Sequence, residues 1–241
     1  MTSISDDRIQ QKDSKLTPSQ IKKGLILTAC FLVVRLVAAW LWMRWFDMNY
    51  HLTIPFLAFL LTIFFVSSVG IVVLGFTKWV GVDLKTWWFR RGRILRDIAW
   101  GVGILIGSGV LLLAAGIVML AFDLLPTTPL VVGQETTPLS QLPIDLTLGW
   151  LFGFGIASFG EETLFRGFLQ RVFDRRVSRW TSNLLQAALF SLTHLGMEPL
   201  QSVGHLAFLL LFRFGFGLLM GWLKMKRGTL LSAGIVHGFW G

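Results

Sequence analysis

Five side chains in the last third of the chain have types and spacings that suit acid–base or metal chemistry: Glu161, Glu162, Arg166, His194 and His237. The first three lie in "SFGEETLFRGFLQ", directly after the uncharged run "LTLGWLFGFGIA". Glu162 and Arg166 are spaced i, i+4, so they share a helix face and can form an ion pair. Glu161 sits about 100° further round a regular helix. Arg166 therefore does not neutralise both acids, and Glu161 is expected to be free of an arginine and to turn to His194 in "ALFSLTHLG" or His237 in "SAGIVHGFW". A Glu–Arg pair by itself is also what a simple helix-hairpin staple would carry. The second acid and the two histidines favour a site.

One acid and two histidines open two routes. They can ligate zinc and leave a position for water, which the metal activates. Alternatively, a desolvated Glu161 deprotonates a water held by His194, and His237 donates to the developing oxyanion. Both routes end in hydrolysis of a peptide bond. The cofactor expectation is accordingly none, or one divalent metal (zinc) on Glu161, His194 and His237.

The elements that must position these groups are membrane helices. The chain has 241 residues, 54% of them hydrophobic and 15% charged, with 11 Trp and 21 Phe; its mean hydropathy is +0.67. A soluble domain of this size exposes more polar surface. The net charge of +9 comes in short basic clusters between apolar runs, which suits cytoplasmic loops and excludes a nucleic-acid groove. The lone Cys30 lies in an apolar run, ruling out an intramolecular disulfide and a cysteine zinc site. Residues 1–23 read as a polar, loosely ordered cytoplasmic arm, too long for a signal peptide.

A bilayer core takes roughly 20 apolar residues per helix. Spans are expected near 24–46, 55–76, 98–122, 147–170, 182–197, 205–223 and 229–241, an all-α polytopic bundle of about seven to eight transmembrane helices. The final segment, at about 20 Å, is too short to cross alone. Lys and Arg crowd the arm, 77–97, 171–179 and 224–227, and are missing from 47–54, 123–146 and 198–204. That alternation puts the N-terminus of a multi-pass protein in the cytoplasm; the expected location is a bacterial inner membrane. "LKTWWFRRGRILRD" (84–97) reads as a segment lying on the membrane surface, Trp among headgroups and Arg on anionic lipid.

An ionisable side chain at this depth costs a few kcal/mol and needs a partner or a function. Counted from the cytoplasmic ends of their spans, Glu161 lies about 15 Å deep, His194 about 18 Å and His237 about 12 Å. All three fall in one layer. Gly149, Gly153, Ala157 and the Gly217/Gly221 pair suit close helix packing. His205 reads as interfacial. Arg35 and Arg213 have no partner assigned by the sequence.

"EETLFR" (161–166) resembles the EExxxR motif of the CPBP family of CAAX proteases and bacteriocin-processing enzymes. "FSLTH" (190–194) resembles its FxxxH motif, and "FRFGFGLLMGWLKMKRGTLLSAGIVHG" (212–238) is similar to its glycine-rich helix, basic turn and final histidine helix. The resemblance covers about residues 146–241, with motif-free helices over 24–145. It implies an intramembrane endopeptidase acting on a membrane-associated, prenylated CAAX-type or bacteriocin-like substrate, with membrane lipid as its other partner. By position, Glu161 and His194 activate water, Glu162 and Arg166 order the site or bind substrate, and His237 lines the oxyanion side. The family commonly has Asn four residues after the last His; here that position is Gly241. That departure supports the alternative of a non-catalytic immunity or scaffold protein. A proton-coupled transporter is the third reading, weakened by the lack of internal duplication.

Overall fold

The computed structural model describes residues 16–49, 66–121, 151–195 and 203–240. Every element among them is a helix: α1 (Pro18–Asn49), π1 (Val66–Val80), α2 (Leu84–Trp88), α3 (Ile94–Ala121), π2 (Leu151–Leu169), α4 (Gln170–Phe173), α5 (Arg179–Leu192), α6 (Val203–Arg227) and α7 (Leu231–Trp240). The all-α expectation holds for the described residues. Ile94–Leu111 and Leu206–Arg227 are long and apolar enough to cross a membrane, and Gly70–Val80 is a shorter apolar helix. The start of the expected second span, the loop 123–146, Gly149 and Gly241 lie outside the described residues.

Local signals explain where the helices begin. Thr17 Oγ1 accepts from Gln20 N at 3.2 Å, and Gln20 Oε1 accepts from Thr17 N at 2.8 Å. This reciprocal cap, with Pro18 in the first turn, starts α1 inside what the sequence suggested was a loose arm. Ser178 caps α5 by accepting from Thr181 N.

The wide helix π2 is the hub. One side of it meets π1, which carries α1; another meets the α5–α6 hairpin; α7 wedges between π2, α3 and α6. Phe76, Trp87, Leu164, Phe165, Phe168 and Phe190 form the main apolar core around π2. α1 touches π2 where Gly24 faces the Phe168 ring, and a Cβ at Gly24 would stand 2.3 Å from that ring. α5 and α6 close up through polar groups: Asn183 Nδ2 donates to Leu218 O at 3.0 Å and Gln186 Nε2 to Gly217 O at 2.9 Å. A Cβ on Gly221 would lie 1.8 Å from Asn183 Oδ1, so the glycine pair lets two backbones approach and exposes carbonyls to side-chain donors.

The reading of 84–97 as a surface segment is corrected for its tryptophans, while Phe89, Ile94 and Leu95 are exposed. Trp87 and Trp88 are only 2% and 4% exposed. Trp88 stacks on Phe159 with centroids 4.4 Å apart and its Nε1 donates to Thr163 Oγ1 at 2.9 Å. Trp87 packs against Phe76 and under the Arg171 guanidinium. Both indoles find apolar and polar partners on neighbouring helices, which outcompete the headgroup layer. Leu230 N then donates to Trp87 O at 2.9 Å, tying this segment to the turn before α7. A second tie comes from Asp97, fully buried, which takes Arg227 Nε at 2.8 Å and Thr229 Oγ1 at 2.7 Å and holds the α6–α7 turn against the start of α3.

Candidate active site

π2 presents Glu161, Glu162 and Arg166 from one continuous buried stretch; residues 160–170 are all buried. A π-helix bonds i to i+5, a form that recurs at functional sites. Across from it, α5 ends at Leu192 and the next turn holds His194. α7 supplies His237, 2% exposed.

The five sequence-derived residues come together. Glu162 Oε1 pairs with Arg166 Nη1 at 2.9 Å and accepts from His237 Nδ1 at 2.6 Å, with all three side chains at most 2% exposed. His237 Nε2 lies 3.7 Å from Glu161 Oε2, and His194 Nε2 lies 3.9 Å from the same oxygen. His194 Nδ1 donates to Phe190 O at 2.8 Å. A carbonyl only accepts, so Nδ1 carries the proton; the Glu162 carboxylate imposes the same on His237. In the neutral rings both Nε2 lone pairs therefore face Glu161 Oε2, which accepts no hydrogen bond from the described residues. Three acceptor atoms thus converge, at distances that let one water donate a proton to Glu161 Oε2 and the other to one of the two Nε2 atoms.

The expectation that Glu161 stands free of an arginine is corrected. Arg35 Nη2, from α1, donates to Glu161 Oε1 at 2.6 Å, with side chains 7% and 5% exposed. The i, i+4 rule assigned Arg166 properly but is blind to a residue more than a hundred positions away. Each glutamate has its own arginine.

The family model described as Type II CAAX prenyl endopeptidase Rce1-like matches residues 143–241. Over this region the chain is similar to that family, which agrees with the CPBP resemblance of its motifs. That family is a membrane-embedded protease family. No curated protein and no solved structure matches the chain.

The CPBP motif positions account for the centre of this geometry, and the structure adds what a motif does not state. Phe190 of the FxxxH segment is a platform: the Arg166 guanidinium lies 4.4 Å from its centroid, His194 4.7 Å and His237 5.7 Å. Arg166 Nη2 also reaches Gly217 O at 3.4 Å, and Ser158 Oγ donates to Gly234 O at 2.7 Å, pinning α7 to π2 one turn before Glu162. Arg213 stays within electrostatic range of His194. The side chain of His205 lies outside the described residues.

A zinc-like ion takes the donor types found here. Among the described residues no three His, Cys, Asp or Glu are grouped closely enough to hold a metal ion as they stand. Moreover, Arg35 sets a positive charge 2.6 Å from the other oxygen of the carboxylate such an ion would need. The same spacing also suits a water between the Glu161 carboxylate and an imidazole.

Proposed function

We propose that the protein is an intramembrane endopeptidase that cleaves a peptide bond of a membrane-associated substrate, of the prenylated CAAX or bacteriocin-like kind, with a water activated by Glu161. The observation that carries this reading is the convergence of Glu161 Oε2 with the Nε2 atoms of His194 and His237 in a buried layer. Water held by His194 gives a proton to Glu161 Oε2 as its oxygen attacks the scissile carbonyl. His237, oriented by Glu162, donates through Nε2 to the oxyanion in its doubly protonated form, the second ring proton being taken from solvent before attack and kept by the ring as the oxyanion collapses. The proton on Glu161 then passes to the leaving amide nitrogen, returning the carboxylate. Glu162 and Arg166 hold the histidine side of the layer, and residues 146–241 form the catalytic core.

The test is proteolysis of a membrane-anchored reporter library by purified protein in liposomes. Cleavage is expected to survive chelation, and elemental analysis is expected to find no metal that tracks activity. Stoichiometric zinc rising and falling with turnover overturns the water-only route. A protein that binds reporters without cleaving any favours the non-catalytic immunity or scaffold reading, to which Gly241 points.

The same proposal holds that about seven segments cross the membrane with the N-terminus and the 171–179 turn in the cytoplasm. In a Cys30-free background, Arg176→Cys is expected to resist an impermeant thiol reagent in intact cells and to label after lysis. Ser140→Cys is expected to label in both. Equal labelling of the two in intact cells rejects this topology.

A further inference from the structure

We propose that Arg35 is a positioning residue of the site, so that the first helix, outside the family-matched region, completes the catalytic layer; this rests on the endopeptidase reading. The pairing joins helices 126 positions apart in sequence. Gly24, Leu27, Thr28, Phe31 and Arg35 recur at helical spacing on the inner face of α1. Gly24 seats this face on Phe168 near one end of π2, and Arg35 meets Glu161 at the middle of π2, so α1 and π2 run antiparallel with the ion pair two turns further along. Phe31, 2% exposed and one turn before Arg35, lies with its centroid 5.1 Å from the guanidinium. That ring restricts where the guanidinium can swing.

The consequence lies in which oxygen is taken. Arg35 occupies Oε1 of Glu161, and Oε2 is the oxygen near both Nε2 atoms. A carboxylate held at one oxygen by a buried cation cannot rotate without breaking that bond, so Oε2 stays aimed at the layer where water would be held. Simple charge neutralisation would need no such selectivity. It would also not require an arginine from another helix if Arg166 were free, and Arg166 is engaged by Glu162.

The full chain in liposomes, with a prenylated CAAX reporter peptide, tests this. Arg35→Gln is expected to lower kcat about a hundredfold per folded molecule with KM nearly unchanged, the scale of loss expected when a reacting group is misplaced. Arg35→Lys, which keeps the charge without the fork, is expected to fall only about tenfold. Val37→Ala, on the exposed face of α1, serves as the unchanged control. A second readout does not need proteolysis. A hydrophobic carbodiimide attacks a protonated carboxyl and spares an ion-paired one, so Glu161 is expected to be modified several-fold faster in Arg35→Gln than in wild type, read by mass spectrometry. If wild type cleaves no reporter but this contrast appears, the endopeptidase reading fails and the Arg35 clamp stands. Arg35→Gln, or Arg35→Lys should the former not accumulate, turning over within twofold of wild type overturns the proposal. So does a loss that merely follows the folded fraction, or carbodiimide labelling that does not change.

Discussion

Glu161→Gln is expected to lower turnover by about 10²–10⁴-fold per folded molecule, about 2.7–5.4 kcal/mol in the barrier, because glutamine keeps the shape of the side chain but cannot take a proton from water. From the sequence, this change is expected to leave stability untouched. The structure alters that expectation. Arg35 is 6% exposed and pairs with the Glu161 carboxylate, so the amide removes that counter-charge from a buried cation. Removing one partner of a buried pair costs up to about 3–5 kcal/mol; the amide oxygen, still able to accept from Arg35, offsets part of it. Thermal unfolding should therefore shift down along with activity. The double variant Arg35→Gln/Glu161→Gln separates the two effects. It removes both charges and should recover most of the melting temperature while staying inactive. Initial rates on a membrane reporter, normalised to folded protein, decide the matter. A Glu161→Gln protein that works within tenfold of wild type removes Glu161 as the base.

The layer of Glu161, His194 and His237 was legible because depth in a membrane helix is a count of residues, and because apolar runs leave few polar groups to choose from. The Glu162–Arg166 pair was legible for a similar reason: helical spacing is local. What escaped is tertiary register. Nothing near Arg35 in the sequence says which carboxylate it meets, since that depends on Gly24 seating against Phe168. Trp87 and Trp88, flanked by arginines, have the composition of an interfacial belt, and only the presence of Phe159, Thr163 and Phe76 across the interface turns them inward. Asp97 reads as one more charge in a basic loop. Its burial under Arg227 and Thr229 requires the α6–α7 turn, 130 positions on, to fold back over it. The widening of π1 and π2 likewise has no marker in the pattern of apolar residues.

Glu162→Gln should carry a different signature, dominated by stability. Its Oε1 faces both the Arg166 guanidinium and His237 Nδ1, and Arg166 is fully buried, with the Phe165 and Phe190 rings and a long contact to a backbone carbonyl among its other neighbours. Neutralising Glu162 leaves that cation stranded, at a cost of about 3–5 kcal/mol. Expression and melting temperature are expected to drop, and turnover with them, because His237 loses the carboxylate that orients its ring. A paired replacement distinguishes a structural staple from a site-ordering role. Glu162→Leu/Arg166→Leu exchanges an ion pair for apolar volume, a change that is often neutral or stabilising in a buried setting. It should restore most of the melting temperature. If the pair served only to join helices, turnover would return as well. The structure argues that it will not, since the leucine at 162 accepts no hydrogen bond from His237 Nδ1, and the ring is then free to turn its Nε2 away from Glu161 Oε2. A stable double-leucine protein with wild-type turnover would reassign Glu162 and Arg166 to packing. A Glu162→Gln protein that is fully stable yet inactive would instead exchange the roles of the two glutamates.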